Sequence, residues 1–462
     1  MKSVSSKRMG TEPIIPLMFK LSLPAMIGML IQALYNVVDS MYVGRISEEA
    51  LSALSLAFPI QMVLIALGAG TGIGTTSLIA RRLGAQRNKE ATLAAENAIF
   101  LSFVYWIIIA IIGYFFSDNI IALFSDRDIL IEPAGDYISI IMTGSIVMFF
   151  SMISNNIIRG EGNTFTPMIA LIIGAVTNIV LDPFLIFGIW IFPEMGVRGA
   201  ALATVIARGV SSVFLIFALK TKIVDMNLCL KTFRVNLGII KEIYRVGLPA
   251  MFMQMMGSVT IALINIIAGQ FHIYAIAVVG IFFRLQSFIL MPVFGLGQGY
   301  MPIMGYNYGA GNSTRMKHTL MMGMIIASVL TTIGFILFRF FPAQLIRFFN
   351  KNPEMIQIGK DVLSRIAIGF PVIGISVVGS LTFQALGKGI NSFIISFLRQ
   401  IGILLPVMFL LTKITTFENI WYAFPISEYG VVIIMYIWLY FFMKKTTSQI
   451  EEKNQFTANE NV

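Results

Sequence analysis

LSLPAMIGMLIQALYNVVDSMYVG, residues 21–44, is apolar enough to cross a bilayer, yet it holds Asp39, the one formal charge between Lys20 and Arg45. Its opening hexapeptide returns further on: LSLPAM at 21–26 reappears as VGLPAM at 246–251. LGAQ at 83–86 and YGAG at 308–311 repeat at the same offset, about 225 residues. With the offset held and no gap, Phe58 falls on Phe283, Gln61 on Gln286, and Gly70, Gly72 and Gly74 on Gly295, Gly297 and Gly299. Asp39 falls on Ile264, so an acid there belongs to the first half alone.

The chain has 462 residues, 57% hydrophobic and 12% charged, with a mean hydropathy of +0.83. A soluble domain carries roughly 25% charged residues, so this is a polytopic membrane protein. The formal charge of +10 does not point to nucleic acid, because Lys and Arg sit in short clusters between apolar runs. The single cysteine, Cys229, excludes an internal disulfide and a cysteine metal cluster. His272 and His318, near span ends and far apart in topology, read as loop residues.

Twelve spans are expected, at 17–43, 51–80, 92–116, 134–157, 165–190, 196–219, 246–270, 275–305, 318–341, 355–386, 391–412 and 419–443. The fold expected is all-α, with twelve transmembrane helices in two pseudo-symmetric six-helix lobes. An even number of spans per half makes the repeat parallel and puts a substrate cavity between the halves. The divisions are a cytoplasmic N-terminus 1–16, an N-lobe 17–219, a linker 220–245, a C-lobe 246–443 and a C-terminal tail 444–462. Basic residues such as Arg81, Arg82, Arg87, Lys89, Arg315 and Lys317 occupy alternate loops, which puts both termini in the cytoplasm. The opposite loops are poor in Lys and Arg, except near Arg339, Arg347 and Lys351.

TNIVLDPFLIFG in span 5 puts Asn178 and Asp182 four residues apart on one helix face. Pro183 removes a backbone donor and is expected to kink that helix, freeing the carbonyl of Ile179. Asp39 and Asp182 lie about 27 and 24 Å from the cytoplasmic ends of their spans, and Thr204 enters about 12 Å from the outer side. All three fall in the outer half of the hydrocarbon. Two acids converging at low dielectric either share a proton or bind a cation, and with an amide and a hydroxyl they make a hard oxygen set for one. The competing reading is structural, with Arg208, one turn from Thr204, neutralising the acids. In the second half, equal depth pairs Arg284 with Glu428, while Arg365 and Arg399 have no evident partner. GAGTGIG at 68–74 lacks the strand and lysine of a phosphate loop and reads as close helix packing.

These segments, in their order and spacing, resemble the multidrug and toxic compound extrusion (MATE) transporters and their bacterial DinF-like and related branches. The resemblance covers roughly 15–443 and rests on LPAM with YNVVDSMYVG, LGAQRNKEA, RGEGNTFTPM, NIVLDPFLIFG, GVRGAALATVIA and IWYAFPISE. It implies an antiporter, not an enzyme, in the bacterial inner membrane. Such a protein exports amphipathic, mainly cationic compounds against inward Na⁺ or H⁺, acts as a monomer, and needs no cofactor and no nucleic acid. Asp39, Asn178, Asp182 and Thr204 match the cation site of the first lobe, and Pro24 matches a helix-bending proline. Asn155 or Asn156 matches a polar position of span 4. Gln61, Gln286, Arg284 and Glu428 are further candidates for polar positions of a cavity. The chain departs from members with acids in the second lobe, since Ile264 replaces one and ILLPVMFLL in span 11 has none. A lipid-linked oligosaccharide flippase of the same architecture is the alternative, favoured by Arg284, Arg365 and Arg399. An intramembrane aspartyl protease using Asp39 and Asp182 would need a GxGD motif, which the chain lacks.

Overall fold

A polypeptide in hydrocarbon must satisfy its backbone N–H and C=O groups internally, and a helix does so within one segment. The computed structural model accordingly shows, among the described residues, helices and no strand. It describes residues 6–124, 127–221, 226, 233–271 and 273–459. Cys229, His272, Lys2, Lys222 and Lys231 lie outside them.

In chain order the helices are α1 (Arg8–Thr11), α2 (Ile14–Val43), α3 (Glu48–Gly84), α4 (Asn88–Ala122), α5 (Asp128–Thr143), α6 (Ser145–Gly160), α7 (Phe165–Phe187) and α8 (Gly196–Lys220). There follow α9 (Leu237–Gly269), α10 (Ile273–Gly309), α11 (Ser313–Phe340), α12 (Pro342–Phe349), α13 (Pro353–Ile366), α14 (Phe370–Ala385), α15 (Gly389–Phe397), α16 (Leu405–Ile414) and α17 (Ala423–Asn459). A 3₁₀ turn at Ala367–Gly369 joins α13 to α14, a π-helical stretch at Leu398–Leu404 joins α15 to α16, and a 3₁₀ turn at Asn419–Tyr422 leads into α17. Eleven helical segments of the described residues are long and apolar enough to cross a membrane; α5 and α6, bent by 51° at Gly144, make a twelfth if they count as one span. Span 4 is therefore broken rather than straight. The helix of span 12 continues to Asn459, so the described part of the polar segment after Lys444 is helical. His318 lies inside α11, not in a loop.

The repeat is visible in the backbone. α3 and α10 are both 37 residues long, and their ends coincide at the sequence offset. Gln86 and Gly311, the last residues of LGAQ and YGAG, both turn through the left-handed region, with φ of 58° and 68°. Glycine takes that conformation freely; the side chain of Gln86 makes it cost about 1–2 kcal/mol. Local signals start the helices: Ser47 caps α3 by accepting from Ala50 N at 3.0 Å, and Asn312 caps α11 by accepting from Arg315 N at 3.0 Å.

The chain divides into two compact units. The first comprises Leu23–Met251 with the chain up to Arg8; the second comprises Met9–Ser22 with Phe252 onward. Two helices thus pass from one unit to the other beside a proline: α2 at Ser22–Leu23, before Pro24, and α9 at Met251–Phe252, after Pro249. In the second unit, Arg315 donates to Met9 O (3.1 Å) and Glu12 O (2.7 Å), and Asn307 donates to Met9 O (3.0 Å). In the first unit, Arg82 makes a bidentate bond to Glu242 at the start of α9, with both distances 2.8 Å.

The glycines of 68–74 pack helices, as their sequence context requires. Within the first unit a Cβ on Gly72 would strike the Asn156 amide, and one on Gly74 would strike the carbonyl of Ile243. Gly257 has open space around it. Gly74→Ala should lower thermal stability by about 1–3 kcal/mol, because backbone must move to admit the methyl group. Gly257→Ala should leave it unchanged or slightly raised; melting of the detergent-solubilised proteins checks the contrast.

Candidate functional site

Asp39, one turn before the end of α2, is half-buried on the wall of a cavity of about 70 Å³ within the first unit. Tyr35 and Asn36 precede it by four and three residues, so the helical repeat puts them on the same face, and both line the cavity. Gln61 comes from α3, Tyr137 from α5 and Thr204 and Arg208 from α8. Gly144, where α5 and α6 bend apart, forms another part of the wall. A Cβ there would meet the methyl groups of Val205, so the bend and the close approach of α8 need the same glycine.

The polar groups are partly committed. Gln61 Nε2 donates to Tyr137 Oη at 3.0 Å, and Arg208 Nη2 donates to Tyr35 Oη at 3.3 Å. Arg208 forms no ion pair with Asp39 or Asp182, so the neutralising bridge that a structural role would require is not made. Asp39 keeps one buried oxygen, Oδ1, without a hydrogen-bond partner. Two of the four sequence-selected residues, Asp39 and Thr204, therefore share a cavity.

Asn178 and Asp182 stand apart from that lining. Both are buried, and Asn178 Nδ2 donates to Asp182 Oδ1 at 3.1 Å, the pairing that their spacing of four predicts. Asn178 Oδ1 and Asp182 Oδ2 are buried without partners, and the charge of Asp39 acts on Asp182. α7 runs unbroken through Pro183, whose missing N–H leaves the carbonyl of Ile179 without its helical donor. The donor set is hard oxygen throughout, with three unpartnered buried oxygens among Asp39, Asn178 and Asp182, which suits a proton or a small cation.

The other candidates are scattered. Asn156 is a packing residue: its amide faces Gly72 and donates to Met152 O at 2.8 Å, and its carbonyl accepts from Thr76 Oγ1 at 2.7 Å. Asn155 is buried but outside the cavity lining. In the second unit Arg284 is exposed and makes no ion pair with Glu428 among the described residues, so equal depth did not produce contact. The charge acting on Glu428 is that of Arg399, carried on the π-helical stretch, whose extra residue per turn shifts its side chains off the α-helical faces on which depth arguments rely. Glu428 packs against Gly369, at the 3₁₀ break between α13 and α14. Arg365 has partners too: Asp361 at 3.2 Å and the ring of Tyr422 at 5.8 Å. Gln286 is half-buried on α10.

Tyr35, Asn36 and Tyr137 were not singled out from sequence. The first two carry a usable signal, their spacing from Asp39. Tyr137 carries none, because only the packing of α5 against α3 brings it to Gln61.

A duplicated helical membrane chain with unpaired acids at membrane depth defines a transporter rather than an enzyme or receptor module. Comparison with known proteins gives the particular family. The family described as MatE matches residues 24–184 and 249–410, one block in each half. A multidrug export protein, MepA, of Staphylococcus haemolyticus is 28% identical over 414 residues, covering 89% of this chain and 90% of that one. A FAD transporter of Shewanella oneidensis is 25% identical, covering 92% and 94%. Among solved structures, an outward-facing multidrug resistance MATE transporter superposes with a TM-score of 0.90 at 26% identity, covering 97% of this chain and 100% of that one. A Pyrococcus furiosus transporter of the MOP superfamily, described as having a binding pocket of reversed polarity, gives 0.89 at 26% identity, over 96% and 99%. The chain belongs to the MATE family of transporters.

If Arg399 rather than Arg284 supports Glu428, Arg399→Ala should cost about 1–3 kcal/mol by leaving a buried carboxylate oxygen less compensated. Arg284→Ala should change stability by less than about 0.5 kcal/mol. Parallel melting curves of the two variants separate these outcomes.

Proposed function

We propose that the protein is a secondary antiporter that exports amphipathic, mainly cationic compounds in exchange for inward Na⁺ or H⁺. It works as a monomer in the cell membrane with both termini in the cytoplasm. The observation that carries this reading is Asp39: a half-buried carboxylate with a free oxygen, facing a cavity that also holds Thr204, Tyr35 and Asn36. An acid kept at that depth is costly unless its charge state is used. Its absence from the repeat position, Ile264, supports use over scaffolding.

The cycle follows from differential binding. A cation or proton entering the first unit neutralises Asp39 and reduces its repulsion with Asp182; α2, which carries Pro24 inside it where it changes unit, is the element that can answer by bending. Asn178 holds the second acid by its hydrogen bond, and Thr204 and Asn36 supply neutral oxygens. Release of the ion to the other side resets the pair. Export follows only if the substrate prefers one of these two states.

The test uses purified protein in proteoliposomes loaded with a fluorescent organic cation, with ΔpH and ΔNa⁺ imposed separately. Wild type should move the dye under one gradient, and Asp39→Asn should lose at least about tenfold of that flux, with unchanged melting temperature. Normal flux in Asp39→Asn rejects the carboxylate as the coupling group. If the dye is not moved, FAD is the next cargo to offer, since a relative carries it and Arg208 gives this cavity a cation.

A further inference from the structure

The transport reading makes no use of α12, which the first half does not have as a separate helix: at the repeat offset Pro342–Phe349 falls on 117–124, where α4 runs unbroken to Ala122. α12 lies at the end of α11 opposite Ser313. The positive-inside rule leaves the loops on that side poor in Lys and Arg, so a cationic segment there needs another cause.

The helix is fixed and two-faced. Pro342 and Ile346, one turn apart, are buried; Ile346 fills the space that a side chain on Gly359 of α13 would need. The turn after it is tied by Asn352, whose N donates to Asn350 Oδ1 at 2.8 Å, whose Oδ1 accepts from Glu354 N at 2.9 Å, and whose Nδ2 donates to Tyr274 Oη at 3.3 Å. Phe341 and Phe348, seven residues apart on a different face, are 48% and 87% exposed, and Phe340 beside them is 66% exposed. Arg339, Arg347 and Lys351 are exposed and form no salt bridge or side-chain hydrogen bond among the described residues. From Arg339 to Glu354 they face only one acid in sequence, Glu354 itself.

We propose that α12 and its flanks form a docking site for anionic phospholipid. Arg339, Arg347 and Lys351 hold the headgroup phosphate, and Phe341 and Phe348 lie among the upper acyl chains. Charge complementarity favours this occupant: unpaired guanidinium and ammonium groups beside aromatic rings match a lipid's phosphate above its hydrocarbon, and a net anionic headgroup matches better than a zwitterionic one. Guanidinium forks take phosphate oxygens bidentately, and the rings, held by the buried face, need no reordering to meet the chains.

The test places a fluorophore on α12 of the full chain through Gln344→Cys in a Cys229→Ser background. The protein is reconstituted in phosphatidylcholine vesicles doped with brominated phosphatidylglycerol or, separately, brominated phosphatidylcholine. The parent should be quenched about twofold or more strongly by the phosphatidylglycerol form. Arg339→Gln/Arg347→Gln/Lys351→Gln should abolish that preference, and Arg339→Lys/Arg347→Lys should retain it. Should the triple variant aggregate, Arg347→Gln alone should reduce the preference. Equal quenching by the two lipids in the parent, or a preference that survives neutralisation, overturns the proposal.

Discussion

Hydrocarbon offers no hydrogen bonds, and that single constraint organises this molecule. It makes every span a helix, and it makes each polar side chain among the spans either paired or available for use. Most are paired locally: Thr75, Thr260 and Thr331 donate back to carbonyls one turn away, and Tyr300 bonds Thr382 at 2.6 Å. Against that background the unpartnered oxygens of Asp39, Asn178 and Asp182 stand out. They belong to the described buried groups that the fold leaves without a partner, and two of the three residues are acids.

The two halves show how a duplication diverges under that constraint. Backbone features survive: helix lengths, the left-handed turn at Gln86 and Gly311, and the prolines at 24 and 249. Charges do not. The first half keeps Asp182 in the field of Asp39, while the second replaces the latter with buried Ile264 and sets Glu428 in the field of Arg399 where two helices leave α geometry. Repeat symmetry therefore serves the scaffold, and asymmetry in titratable groups gives the two units different electrostatics.

Small residues serve the same scaffold at short range. The α3 glycines admit α6 on one side and the start of α9 on the other, which places Asn156 against Gly72 as a wall and not as a ligand. Gly144 lets span 4 bend where α8 approaches, and the cavity lies beside that bend. Close packing and the polar site are thus adjacent consequences of where side chains are absent.

What sequence alone determined was whatever is encoded along one helix or between identical segments. Apolar run length predicts the spans, the offset of LPAM and LGAQ predicts the duplication, and a spacing of four predicts the Asn178–Asp182 bond. Tyr35 and Asn36 were legible by the same rule beside Asp39. What only tertiary structure decided was contact between helices: Tyr137 meeting Gln61, Arg208 turning to Tyr35 instead of an acid, and Arg399 rather than Arg284 acting on Glu428. Depth along a span follows from a fixed rise per residue, but rotation about the span does not survive a bend, a 3₁₀ turn or a π-helical stretch. Which side chains face one another is therefore set by packing.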